Sequence, residues 1–150
     1  MWYEYIYRRN NSIMKRSLAA VLAVVLAATM AFAGVQDFGE FKVDVPEGWT
    51  ATKDGETVGI VKNDNTASMS ITVDSTDGAS LKELADAFVE ALNGKNLKKD
   101  GENYTFDFDN GNGVKSEALI VTDSGKYALF VITGRSNAPK EVAAIINSLQ

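Results

Sequence analysis

The hydrophobic period of this chain changes at Ser80, and that change constrains the fold more than any other feature. Upstream, apolar residues alternate with polar ones. Phe41, Val43 and Val45 are separated by Lys42 and Asp44, and Met69, Ile71 and Val73 by Ser70 and Thr72. A period of two sends successive side chains to opposite faces of a strand. From Ser80 onward, Leu81, Leu84, Ala85, Phe88, Val89 and Leu92 recur at helical spacing and form one stripe. Ser80 and Glu83 have the spacing of a capping box, and Gly94 supplies a stop. A helix therefore lies between two blocks of strands.

The strands before it are Phe41 to Pro46, Thr57 to Lys62 and the run from Ser68 to Asp74, separated by turns at Asp54-Gly55 and Asn63-Asp64-Asn65. In the third, Met69, Ile71 and Val73 take one face, and Ser68, Ser70, Thr72 and Asp74 take a face expected to be wet. After the helix come Tyr104 to Asp109, Val114 to Thr122 and Lys126 to Thr133. Tyr127 to Ile132, YALFVI, is apolar on both faces, as befits a central strand covered on both sides. Asn137 and Pro139 open a last helix with Val142, Ile145, Ile146 and Leu149 on one face. The expected class is α+β: a largely antiparallel, six-stranded sheet packed by two helices, in the order βββα-βββα.

The first 33 residues stand apart from this pattern. From Met14, MKRSLAAVLAVVLAATMAFAG has a basic start at Lys15 and Arg16, an apolar run, and Ala31-Phe32-Ala33 before Gly34. This is the tripartite form of a secretory signal peptide. The run from Leu18 to Ala33 has 16 residues, short of the roughly 20 needed by a spanning helix. Residues 1–13, aromatic and basic, read as a mis-called extension ahead of a true start at Met14. The domain proper is then 34–150, a single unit of periplasmic or secreted location, with no stable membrane span after signal cleavage. The chain has no cysteine, so lipid attachment by the bacterial lipoprotein route is excluded.

Charge and composition exclude several activities. Residues 1–33 hold Arg8, Arg9, Lys15 and Arg16 against Glu4, a net of +3, so the chain's −5 leaves −8 for residues 34–150. Such a domain repels nucleic acid and anionic lipid, and its expected partner is an envelope protein or a small cationic ligand. With no cysteine and no histidine, the chain cannot build zinc sites on those residues, histidine-assisted nucleophiles, thiol redox centres or haem ligation by those residues.

The stretch FDFDNGNGV, 106–114, is the one candidate for a cation loop. An EF-hand needs oxygen ligands at positions 1, 3 and 5, glycine at 6 and glutamate at 12. Counting from Asp107 puts Gly111 at 5 and Ala118 at 12, and counting from Asp109 puts Gly111 at 3. Both registers fail. Asn110-Gly111 and Asn112-Gly113 suit a hairpin turn. Asp107 and Asp109 do share a strand face, so a calcium site on those two residues remains the metal alternative, and no other cofactor is expected. A glycosidase needs two carboxyls about 5 to 9.5 Å apart across a sugar-binding cleft. Asp107 and Asp109 have the spacing but lie on one strand, so a carboxylate-based hydrolase of envelope glycans is the enzymatic alternative. Glu83, Asp86 and Glu90 read as a solvated helix face, and Lys95, Lys98 and Lys99 as surface charge. Ser68, Ser70 and Thr72, with Trp49, form the candidate partner surface.

The order of elements, with FKVDVPEGWT at 41–50, the helix SLKELADAFVEAL at 80–92 and a final helix opening near Pro139, resembles the PsbP-like superfamily, including DcrB-like bacterial envelope proteins. Pro46 and Gly48 shape the turn in that stretch, and Trp49 is expected to pack over the sheet. The resemblance implies an antiparallel sheet with flanking helices and a non-enzymatic accessory or binding role. It carries no catalytic motif to any residue here.

Overall fold

A computed structural model describes residues 33–111 and 113–150. The leader and the residues ahead of it lie outside the described residues, except for Ala33. Nine strands, two α-helices and a short 3-10 turn follow in the order β1 Gly34–Asp37, β2 Lys42–Val45, β3 Trp49–Asp54, β4 Thr57–Lys62, β5 Ser68–Ser75, α1 Leu81–Leu92, β6 Lys95–Asp100, β7 Asn103–Asp109, β8 Lys115–Asp123, β9 Lys126–Thr133, the turn Arg135–Asn137 and α2 Pro139–Asn147. The α+β class stands, but the strand count and grouping differ from expectation. The main sheet has seven strands, ordered β3-β4-β5-β9-β8-β7-β6, and β1 with β2 forms a separate two-stranded ribbon. Every pairing is antiparallel.

The added strands have physical explanations. β3 and β6 are the two edges of the main sheet. Edge strands need pair on one side only and bury little, so their sequences carry weak alternation. β6, KNLKKD, has no residue that is fully buried, and its register shifts between Lys95 and Lys98. The expected first strand, 41–46, lies outside the main sheet, paired with β1 and tied to the C-terminal residues: Lys42 and Gln150 exchange backbone hydrogen bonds of 2.9 and 3.0 Å, and the Asp44 N–H donates to Ser148 Oγ at 2.9 Å.

The sheet has a core on each face. One contains Phe41, Val43, Val45, Trp49, Ile60, Met69, Ile71, Phe130, Ile132, Val142 and Ile145, which come from β2 and the residue before it, from α2, and from strands β3, β4, β5 and β9. The other contains Leu84, Ala85, Phe88, Phe106, Phe108, Ala118, Ile120, Tyr127, Leu129 and Val131, so α1 lies over β7, β8 and β9. β9 is the central strand and sends alternate residues into both cores, as YALFVI requires. Each helix thus covers a different half of the sheet, on opposite faces.

The capping box is formed. The Glu83 N–H donates to Ser80 Oγ at 3.2 Å, and the Ser80 N–H donates to Glu83 Oε2 at 2.7 Å. The helix stop differs in detail from expectation: Asn93 takes the left-handed cap at φ 54°, not Gly94. At the other helix, Asn137 is not the cap. Its Nδ2 donates to the Thr66 carbonyl at 2.8 Å, and Pro139 opens the helix unaided by any side-chain cap.

Candidate functional site

The segment 106–114 is a hairpin. β7 and β8 run antiparallel with Asp109 opposite Lys115 and Asp107 opposite Glu117, and the Asn110 N–H donates to the Val114 carbonyl at 3.1 Å. Gly111 and Gly113 both have positive φ, which the loop requires. Asp109 braces this loop from within: its Oδ1 accepts from the backbone N–H of Gly111 at 2.9 Å and of Gly113 at 3.2 Å. Asp107 lies between Lys95 and Glu117 in the strand register and accepts from Asn96 Nδ2 at 3.2 Å. Glu117 is held by the Arg135 guanidinium, Nε at 3.0 Å from Oε2 and an Nη2 hydrogen bond at 3.2 Å to Oε1. The carboxylates on this side are therefore occupied by backbone, amide and guanidinium donors. Among the described residues, no group of three or more histidine, cysteine, aspartate or glutamate residues is arranged to hold a metal ion.

The candidate partner surface is less open than alternation implies. Trp49 is 0% exposed. Its ring lies in the α2 core, and its Nε1 donates to the Glu141 carboxylate. It packs over the sheet as expected and presents no surface to a partner. Ser68 is half-buried, while Ser70 and Thr72 are 7% and 5% exposed. Small side chains lying flat in a sheet lose accessible area to larger neighbours, so their polarity does not by itself keep them wet. In the β5–β9 register Ser70 faces Val131, Thr72 faces Leu129 and Asp74 faces Tyr127. On the other side Thr72 meets Thr57, and their hydroxyls are 2.8 Å apart.

Tyr127 is the residue that sequence reasoning passed over. It lies in the apolar strand YALFVI and is 2% exposed, with its ring edge-on to Phe88 at 5.7 Å. Its hydroxyl is buried without a hydrogen-bond partner, although buried tyrosine hydroxyls ordinarily find one. Burial pushes the phenol pKa up, and the charges of Asp74, Glu56 and Asp77 push it further. A tyrosine at a core position of an otherwise wholly apolar run was the available signal. Elsewhere, where a carboxylate departs from its ordinary pKa, it moves down: Asp37 by the Gly39 N–H, Asp64 by Lys62 and then Thr66, and Glu83 by the Ser80 N–H.

No family model and no curated protein matches the chain. Solved structures do. The architecture is similar to the solution structure of cyanobacterial PsbP (CyanoP) from Synechocystis sp. PCC 6803, with a TM-score of 0.53 and 15% identity, covering 83% of this chain and 98% of that one. It is also similar to a crystal structure from Bacteroides thetaiotaomicron, with a TM-score of 0.51 and 17% identity, covering 73% of this chain but 44% of that one. The likeness defines the class: a small α+β domain with a PsbP-like fold. Among the described residues, no helix is long and apolar enough to cross a membrane.

Proposed function

We propose that this is an exported domain with a non-enzymatic accessory or binding role in the cell envelope, periplasmic or secreted, similar in that respect to DcrB-like envelope proteins. Export rests on the signal-peptide pattern of residues 14–33. The binding reading is carried by one structural observation. The two carboxylates that could have formed a catalytic pair are turned to structural use: Asp109 holds its own loop, and Asp107 accepts from Asn96 Nδ2 at 3.2 Å. A hydrolase needs one carboxylic acid with a raised pKa facing a second group across a cleft, and the carboxylates that shift here shift down.

Cell fractionation followed by mass spectrometry of the intact protein tests export. The expected species begins at Gly34 and lies outside the cytoplasm. Cytoplasmic protein containing residues 1–13 would overturn export. Incubation with purified envelope glycans tests the rest: turnover lost in Asp107→Asn would replace the binding role with hydrolysis.

A further inference from the structure

β6, Lys95–Asp100, is one edge of the main sheet and pairs only with β7. Among the described residues, no other group hydrogen-bonds to its backbone. The other edge, β3, is engaged by the chain ahead of it: Lys53 Nζ donates to the Phe38 carbonyl at 2.7 Å, and the Trp49 N–H to the Pro46 carbonyl at 3.2 Å. An open edge is a template for a further strand. Lys95, Lys98 and Lys99 are exposed along it. Among the described residues none of the three has an ion-pair partner. Asp107, directly opposite Lys95, accepts from Asn96 Nδ2 at 3.2 Å instead. Residues opposite each other in a ladder share a face. Lys98 is opposite Thr105 and Lys95 opposite Asp107, and both lie on the face away from α1, because Phe106 and Phe108 alternate with those partners and enter the α1 core. Lys99 is opposite Tyr104, which packs against the α1 core. The extra residue between Lys95 and Lys98, where Asn96 has φ 59°, turns Lys95 to the same side as Lys98. The lysines therefore flank the edge on both faces, with Leu97 half-buried between them and the carboxylates of Asp100 and Glu102 beyond them at the turn.

We propose that β6 docks an acidic, extended segment of a partner protein, which adds to the main sheet as a further strand and sets its carboxylates against Lys95, Lys98 and Lys99. Successive residues of an added strand point to opposite faces, so a run of adjacent acidic residues meets lysine on either side. The domain's overall negative charge does not forbid this, because exposed charges more than about 8 Å away are largely screened at physiological ionic strength. A second copy of the chain is the poorer occupant: two β6 edges paired about a two-fold axis would set lysine near lysine. Lysines and a bulge also keep stray strands off an edge, and that role alone gives no preference for an acidic peptide. The proposal rests on the binding role and deepens it by naming a surface and a partner class. The glycan assay tests that role separately, and the export reading stands whichever way the docking test falls.

The test is an NMR titration of ¹⁵N-labelled protein purified from expressing cells. The probes are the peptide acetyl-Thr-Glu-Glu-Val-Glu-Thr-amide, the same peptide with lysine in place of glutamate, and two forms of the acidic peptide methylated at alternate backbone nitrogens, one in each phase. The expected result is a set of amide shifts along Lys95–Asp100 with the acidic peptide, none along Trp49–Asp54, and none with the lysine peptide. One of the two methylated forms should fail to bind, because it lacks the N–H groups that face β6. Exposed ion pairs are weak, so Lys98→Gln and Lys99→Gln should each lower affinity about two- to fivefold. Both side chains are exposed, and glutamine keeps the edge polar. No response to the acidic peptide at millimolar concentration, equal shifts with the lysine peptide, or unchanged affinity in both variants would overturn the proposal and leave the lysines a protective role. Full binding by both methylated forms would overturn it too, since the attraction would then be charge without strand addition.

Discussion

A methyl group placed on Gly94 would lie 2.5 Å from Cδ2 and 2.8 Å from Cε2 of the Phe106 ring. Gly94 follows the left-handed cap Asn93, and its own N–H returns to the Val89 carbonyl at 2.8 Å. The glycine is thus required by the ring beside it and not by a positive φ. It lets the chain leave α1 and enter β6 directly against a core phenylalanine that is 1% exposed.

Gly94→Ala should therefore destabilise the domain by about 1–3 kcal/mol, the usual penalty for overpacking a rigid core. Asn93→Gly, at the position that does hold positive φ, should be close to neutral. Urea denaturation of both variants checks the contrast. Equal effects would mean that the cap, not the ring, sets the requirement.

Trp49 and Glu141 join the first strand of the main sheet to the last helix. Trp49→Phe removes the indole donor and part of a wholly buried side chain, and should destabilise by roughly 1–3 kcal/mol. Glu141→Gln keeps an acceptor and should do less. A thermal melt followed by tryptophan fluorescence reads Glu141→Gln, and circular dichroism reads both. A larger loss in Glu141→Gln than in Trp49→Phe would show that charge, not packing, secures α2.

How much of this was legible depended on where each residue's partners lay. Leu81 to Leu92 declared itself because an amphipathic helix writes its buried face into local spacing. β9 did so because a doubly covered strand must be apolar throughout. Lys95 to Asp100 gave no such signal: Leu97 is its only apolar residue, and it is a strand because β7 supplies a ladder on one side. Phe41 to Pro46 was legible as a strand but not as a member of the ribbon, since its partners are β1 and Gln150, the latter more than a hundred residues away. Trp49 illustrates the same limit. The turn before it was readable from Pro46 and Gly48, whereas the helix that covers it was not. The hairpin at 106–114 was local chemistry and came through intact. The isolation of the Tyr127 hydroxyl was not legible, because an unpartnered hydroxyl is a property of its surroundings.

The Asp109 loop yields a prediction about metals. Oδ1 of Asp109 already accepts two backbone N–H groups, and binding a cation there would compete with the bonds that shape the hairpin. The thermal midpoint should be the same in EDTA and in millimolar calcium. A ligand specific to the folded state adds about 2.7 kcal/mol at one hundred times its dissociation constant, which would move the midpoint by several degrees. Asp109→Ala should lower stability in either medium, while Asp109→Asn, which retains an acceptor oxygen, should lower it less. A calcium shift abolished by Asp107→Asn would instead make the hairpin a cation site.

Acid sensitivity should begin only below about pH 4.5. The chain has no histidine, and histidine is the side chain whose ordinary pKa falls between pH 5 and 8. Glu83 is held below its ordinary value of 4.5 by the backbone N–H of Ser80 and then by the Ser80 hydroxyl. Because its folded pKa is depressed, its contribution is complete above the unfolded value and is lost as pH falls through the folded one. Asp64, lowered by Lys62 and Thr66, and Asp37, lowered by the Gly39 N–H, act in the same direction. All three are exposed, so each effect is small and screened by salt. Glu83→Gln can still complete a capping box but cannot titrate. Its thermal midpoint should lie slightly below the parent near pH 7 and converge on it toward pH 3, giving a shallower acid slope. Ser80→Ala should lose the roughly 0.5–2 kcal/mol of an N-cap at neutral pH. Melts of the three proteins from pH 3 to 8 decide the matter: an acid slope in Glu83→Gln equal to that of the parent would show that this carboxylate contributes nothing to the acid response.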